Sequence, residues 1–423
     1  MRGIFSLLIL ILSFIFISCE NSSREDTSNL IYGEKVLSIP PDLMREILDN
    51  DGIPHGSIVF GYDAYKIVYE TVDDFGNKVR ASGILTIPVL PDTIPEEKRK
   101  LYSFPVVLNH HGTIFLNEEA PSYNYMPGKN STFPIIALFT GIYGFATAMP
   151  DYIGYGESKD HYHPYMIQKS LARASIDMLK ASIDFCEKNG ILIKRDTYIT
   201  GYSEGGYGAM ATAKMLQEKP EILINVKGVA PLDGVYDLEK MGLAVVSQET
   251  IKYPAFIGFM LFSYSNTYPK DVILNQIVQE PYATRIPQLF DGTKTGLEIT
   301  LQLTQNTQEL FYPEYIQDFV LNTENPFRVK LRENNTDNWA PSFKMKIIHC
   351  RHDDVLPFAL VQLSFNKMIA NGGKEIELVD PEDVFSNIVD NDGWSHTECA
   401  PYAYQIAAKW FCVLERGAEK CSQ

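Results

Sequence analysis

The sequence predicts an α/β fold: a mostly parallel central sheet with helices on both faces, interrupted by a mainly helical cap. Three observations point there. Strand-like and helix-like stretches alternate over much of the chain. A strand-like run, Asp196-Thr197-Tyr198-Ile199-Thr200, meets a helix-like run, Tyr207 to Leu216, across the turn Gly201-Tyr202-Ser203-Glu204-Gly205-Gly206. The alternation stops after Asp233 and resumes at Lys346.

Taken in order, residues 1–18 have the layout of a signal peptide. Met1-Arg2 precedes an apolar run from Ile4 to Ile17, too short for a comfortable transmembrane helix. Ser18-Cys19 resembles a bacterial lipoprotein cleavage site, with Phe16 standing where leucine is usual. Cleavage there makes Cys19 the acylated N-terminal residue, and several acyl chains hold a protein at a membrane. Residues 19–30 then read as a polar tether. Ordinary secretion with cleavage nearby is the alternative. The first part of the core spans 31–235. It opens on a hairpin, Tyr62–Val72 and Val79–Pro88 around a polar Asp-Asp-Phe-Gly-Asn turn. Strands at Phe104–Asn109 and Gly144–Met149 precede the Asp196–Thr200 strand, with helix-like runs Pro134–Tyr143 and Tyr165–Lys188 between them. The cap spans 236–341 and is rich in aromatic residues. Phe256, Phe259 and Phe262 there either line an apolar tunnel or form the cap's own core. The second part of the core, 342–423, has a strand at Lys346–Cys350, a loop holding Gly393-Trp394-Ser395-His396, and a helix-like run from Ala400 to Leu414.

The turn after the Asp196–Thr200 strand is G-x-S-x-G between strand and helix, the context of a nucleophile elbow. Ser203 would sit on a strained turn with its hydroxyl exposed, and a Cβ on either flanking glycine would clash. Such an elbow needs an oxyanion loop, then an acid and a histidine following in chain order. Upstream, the buried Phe104–Asn109 strand runs into His110-His111-Gly112-Thr113, where glycine lets backbone approach a substrate. The amides of Thr113 and Glu204 are the expected oxyanion donors. Downstream lies Arg351-His352-Asp353-Asp354-Val355-Leu356-Pro357. The spacing Asp-x-x-x-Pro after a strand favours Asp353 as the acid. Asp354, as a solvated or capping neighbour, and Asp233, at the end of the strand after the elbow helix, remain alternatives. His396 is the one histidine well downstream of the acid. His349 and His352 read as structural, and His110 and His111 as parts of the oxyanion loop. His161 and His163 are spaced i, i+2 in a polar loop, and no Cys/His spacing argues for zinc.

The chain has 423 residues, 45% of them hydrophobic, enough for one large domain with an insertion. A formal net charge of -16 argues against a nucleic-acid partner, because phosphate binding needs a basic face. Beyond Cys19 there are five cysteines: Cys186, Cys350, Cys399, Cys412 and Cys421. Export permits disulfides. Cys350 and Cys399 flank the two loops that an acid and His396 would bring together, and Cys412 and Cys421 are the other near pair. Spacing leaves the connectivity open, and one cysteine stays unpaired within a monomer.

With the order Ser203, Asp353, His396 in hand, the chain resembles the α/β-hydrolase superfamily over most of its mature length. Within it, Ala148-Met149-Pro150-Asp151-Tyr152-Ile153-Gly154-Tyr155-Gly156, the elbow Gly201–Gly206 and a cap between elbow and acid strands resemble the secretory lipase and esterase group. The resemblance implies a turn at Asp151 and Tyr152 beside the pocket, with Tyr152 at the substrate. It implies a serine carboxylic ester hydrolase that needs no cofactor or metal. Ser203 attacks an acyl or acetyl ester of a small molecule or glycan, His396 takes the proton, and Asp353 orients His396. Glu204 is expected to contribute only its amide. A His-Gly-Gly-Gly run is missing, which makes the oxyanion arrangement differ from lipases that carry one. A serine peptidase on the same fold would need a clamp for a peptide terminus, for which only Glu280, Arg285 and Glu298 of the cap offer charge. A non-catalytic surface binding protein would have no use for all three triad groups. The expected location is the bacterial cell envelope, on the membrane through the N-terminal lipid, facing the periplasm or the exterior.

Overall fold

The computed structural model describes residues 28–128 and 130–421; the expected signal peptide and Cys19 lie outside them. Among the described residues, nine strands form one sheet: β1 Leu30–Ile39, β2 Gly61–Val72, β3 Lys78–Val89, β4 Phe104–His110, β5 Ala146–Pro150, β6 Ile193–Tyr202, β7 Asn225–Leu232, β8 Met345–Ile348 and β9 Ile376–Val379. Their order is β1-β2-β3-β5-β4-β6-β7-β8-β9. The first three strands and the β3–β5 pair run antiparallel, and every pairing from β5 to β9 is parallel. The β2–β3 turn is closed by Asp73, whose carboxylate accepts the amides of Phe75 and Asn77 at 2.9 and 2.8 Å. β4 is buried along its whole length, because a parallel strand is covered on both faces.

Among the described residues, nine helices reach eight residues or more: α1 Pro41–Asn50, α2 Gln168–Lys188, α3 Glu204–Glu218, α4 Leu238–Val246, α5 Pro254–Thr267, α6 Pro313–Leu321, α7 Pro326–Glu333, α8 Phe358–Ala370 and α9 His396–Arg416. Strand side chains alternate between the two faces. Val107, Tyr198 and Ala230 therefore join α1 and α9 through Met44, Leu48 and Phe411. Their neighbours Val106 and Leu108 pack on α2 through Met178 and Leu179, while Ile199 and Val229 pack on α3 and α8 through Met210 and Val361. Helices α4 to α7 lie between β7 and β8 and share a core of Phe259, Tyr264, Phe319 and Phe327. Glu239 of α4 ties to Arg328 and Arg332 of α7 at 2.7 and 2.9 Å. No helix among the described residues is long and apolar enough to cross a membrane.

Several boundaries differ from expectation. Leu30 begins β1 rather than ending a tether, and the Asn29 side chain donates to the Asp177 carbonyl at 2.8 Å. β1, α1 and β9 lie outside the expected elements, although α1 is amphipathic, with Met44 and Leu48 buried on one side. The run from Pro134 is a single α turn, Phe133–Ile136, continuing as a π-helical stretch, Ala137–Ile142. His396 is the first residue of α9 rather than part of a loop. Disulfides join Cys350 to Cys399 and Cys412 to Cys421. Cys186 is free and buried, and burial pushes its thiol up to about 12.

Candidate active site

Ser203 sits between β6 and α3 with φ 61 and ψ -119, a left-handed conformation that a side chain adopts only under constraint. Gly201 and Gly205 supply that constraint. A Cβ on Gly201 would lie 2.5 Å from the Gly205 carbonyl oxygen, and one on Gly205 would lie 2.1 Å from that of His110. The Ser203 Oγ lies 2.9 Å from His396 Nε2. His396 Nδ1 lies 2.6 Å from Asp353 Oδ2. A carboxylate accepts, so Nδ1 carries the hydrogen and Nε2 is left with a lone pair facing the serine hydroxyl. The other Asp353 oxygen accepts the amides of Val355 and Leu356, both at 2.8 Å. Burial works to raise the Asp353 carboxyl, but the hydrogen bond from His396, the nearby His396 and His349 rings and the Leu356 amide together outweigh it and hold the group below its ordinary value.

Both backbone ends of His396 are also held. Its amide donates to Asp354 at 2.8 Å, and its carbonyl accepts from the Tyr202 hydroxyl at 2.5 Å. Asp354 therefore caps α9 and pairs with Lys252 of the cap. Asp233 is fully buried at the end of β7, where one oxygen accepts the Cys350 amide at 3.0 Å. Burial and the nearby Asp353 push its carboxyl well above the ordinary range. His349 fills the space between, 3.8 Å from Asp233 and 3.6 Å from Asp353, and burial lowers it to about 4. These three groups stand close enough to share a cation. Both Asp353 oxygens, however, already serve His396 and the two amides.

Gly112 brings the β4 turn against the elbow: a Cβ there would sit 3.7 Å from Ser203 Cβ. The Thr113 hydroxyl is 3.0 Å from that of Tyr165. His110 is buried behind the turn, between the Thr200 carbonyl and the Thr212 hydroxyl, and burial lowers it to about 3. Tyr152 does not reach the substrate side. It is buried, its hydroxyl donates to the His111 carbonyl at 3.1 Å, and its ring lies 4.1 Å from the His111 ring. Hydroxyl and ring together brace the His110–Thr113 turn.

Ser203 and Asp353 open onto a cavity of about 220 Å³ beneath the cap, lined by Val245, Ile251, Phe256, Met260, Phe311 and other mainly apolar residues. That exceeds the roughly 150 Å³ apolar cavity known to hold benzene. Of the three phenylalanines on α5, only Phe256 lines it. At 3.6 residues per turn, Phe256 and Met260 share one side, Phe262 falls on the other, and Phe259 lies between. Phe259 instead stacks on Tyr165 and Phe290 at 4.6 and 4.7 Å, and Phe262 on Phe290 at 5.4 Å. Glu280, Arg285 and Glu298 do not line the cavity. They bond to Thr284, the Gln302 carbonyl and the Thr295 amide.

The sequence profile of the secretory lipase family matches residues 132–412, which include the elbow, the cap and His396. The chain belongs to the secretory lipase family. It is accordingly a lipase- or esterase-like hydrolase with an α/β-hydrolase fold. Solved structures share the fold. The rice cell wall degrading esterase LipA from Xanthomonas oryzae is 22% identical with a TM-score of 0.78, over 93% of this chain and 98% of that one. Candida antarctica lipase A is 14% identical with a TM-score of 0.59, over 83% and 75%. A comparison with curated proteins finds no match.

Two features escaped sequence reasoning. The Glu204 side chain is buried against His163 at 2.7 Å, rather than contributing an amide alone. His163 is thus an interior residue and not part of a polar loop. Their separation of 41 residues leaves no local signal. The second is the Tyr202 hydroxyl on the His396 carbonyl, which no spacing rule indicates.

Proposed function

We propose that this secretory lipase is a serine carboxylic ester hydrolase that uses Ser203 as nucleophile, His396 as general base and Asp353 as the orienting acid. The observation carrying this reading is the continuous hydrogen-bonded chain from Asp353 through His396 to Ser203, opening on an apolar cavity. Ser203 Oγ attacks the ester carbonyl as His396 Nε2 takes its proton. The amides of Thr113 and Glu204 receive the oxyanion, each worth roughly 3 kcal/mol. His396 returns the proton to the leaving alcohol, and water then repeats the sequence on the acyl-enzyme. The acyl group occupies the cavity under the cap, and the alcohol is a small molecule or a glycan. A peptidase would need a charged clamp. Glu280, Arg285 and Glu298 are engaged away from the cavity, and Lys252, a cap cation that does line it, is paired with Asp354. A fluorophosphonate should label Ser203. A p-nitrophenyl ester series should be hydrolysed well, and aminoacyl amides poorly. Preferential cleavage of the amides would overturn the assignment.

The reading extends to location. The family and the N-terminal layout support export, and Ser18-Cys19 supports an N-terminal lipid. Cys19→Ala should release the enzyme from membranes or block its processing. A mature N-terminus elsewhere, without lipid by mass spectrometry, would rule the anchor out.

A further inference from the structure

A carboxylate beside the nucleophile opposes a reaction that builds negative charge on the substrate oxygen. Glu204 follows Ser203 directly and opens α3. Its side chain is 1% exposed, and that of its partner His163 is 3% exposed, with Nε2 and Oε1 at 2.7 Å. The other ring nitrogen of His163 lies 2.8 Å from the Ile153 carbonyl. A carbonyl only accepts, so Nδ1 carries a hydrogen. A second proton must lie between Nε2 and Oε1, because two lone pairs would not face each other at that distance in a buried site. Whichever atom holds that proton, the pair is neutral as a unit. The other titratable groups around Glu204 do not supply a charge. Burial lowers His111 of the oxyanion turn. Burial likewise raises the phenols of Tyr152, Tyr155, Tyr165 and Tyr207.

We propose that His163 is a positioning residue that holds the Glu204 side chain away from the oxyanion site as a neutral pair. The Glu204 amide can then serve the oxyanion without its own carboxylate opposing the developing charge. This rests on Ser203 being the nucleophile.

His163→Asn keeps a donor for the Ile153 carbonyl and removes the group that reaches Glu204. Assays belong at about pH 9, the upper end of the range documented for buried carboxyls. There the variant should lose about 10- to 100-fold in kcat on a p-nitrophenyl ester, with KM nearly unchanged. Its affinity for a trifluoromethyl ketone, whose serine adduct carries an oxyanion, should fall in parallel. With Glu204→Gln alone as the reference, the double variant Glu204→Gln/His163→Asn should regain at least about ten-fold of the lost kcat, because the stranded charge is gone. A purely structural tie predicts no such recovery. His163→Gln gives the same reading if the asparagine variant does not fold. Wild-type kcat in the single variant, a loss confined to KM, or a double variant no faster than the single would overturn the proposal. Wild-type enzyme that resists fluorophosphonate at Ser203 would instead defeat the nucleophile assignment beneath it.

Discussion

The end of the sheet and the cap face each other across one cavity and are held by different forces. Around Ser203, polar contacts do the holding: His396 alone is fixed by Asp353, Asp354, the Tyr202 hydroxyl and the serine itself. Across the cavity, rings dominate the hold on α5, with Phe259 between Tyr165 and Phe290. Ser263 and Tyr264 add buried hydrogen bonds, to the Tyr165 and Met166 carbonyls. Hydrogen bonds fix direction to fractions of an ångström, as proton transfer requires. Ring contacts fix volume and tolerate exchange, as selecting among acyl groups requires. Changes at the sheet end should therefore act on turnover, and changes in the cap on stability or on preference.

The largest effects sharpen the sheet side. Ser203→Ala should abolish hydrolysis with the fold intact, since it removes the proposed nucleophile and little packing; circular dichroism beside an ester assay checks it. Asp353→Asn should lower kcat by about 10⁴-fold, because the amide favours the wrong imidazole tautomer. Asp233→Asn is the control from the neighbouring strand. Burial and Asp353 push its carboxyl well above the ordinary range, toward the neutral form that asparagine mimics, and kcat should fall less than about ten-fold. If Asp233→Asn were the crippling change, the acid would belong to β7 and the assignment of Asp353 would fail.

The contrast also explains what the sequence discloses. The elbow, the oxyanion turn and the acid loop are local, each a short motif at a strand end, because backbone geometry there dictates glycine, serine and aspartate at fixed offsets. The same logic marks Cys350 and Cys399 as able to pair while leaving the connectivity open, and the disulfide joins them. Interactions closed only by tertiary packing were not legible. The Glu204–His163 pair joins the elbow to the loop after β5, and Tyr202 reaches His396 across 194 residues. In the cap, aromatic richness marks an apolar body. Which rings face the cavity depends on the rotation of α5, and that is set by Tyr165 and Phe290, far away in sequence.

A smaller effect tests the cap's interior. Phe259→Ala should cost about 3–5 kcal/mol, the range for emptying a packed ring site. The acyl preference of the surviving enzyme should stay as in the wild type, since Phe259 does not line the cavity. Calorimetry and an ester chain-length series on the same variant provide both readings. A changed preference without loss of stability would place Phe259 at the substrate after all.

The smallest effect on stability, and the most informative one about specificity, belongs to Phe256. Its ring lines the cavity and makes looser contacts than Phe259, 5.9 Å from Phe115 and 5.7 Å from Tyr253 between centroids. Truncation to alanine enlarges the space available to an acyl chain without emptying a closed ring stack. Each added methylene buried in such a pocket is worth about 1–3 kcal/mol of discrimination at most. Phe256→Ala should therefore move the optimum of a p-nitrophenyl ester series toward longer chains. Turnover on the acetyl ester should change little, because Ser203, His396, Asp353 and the His110–Thr113 turn are untouched. Melting should drop by less than in Phe259→Ala. If the profile stays fixed while stability falls as far as in Phe259→Ala, both rings are interior to the cap. The acyl chain then lies along another wall of the cavity, with Val245 and Ile251 as the next residues to truncate.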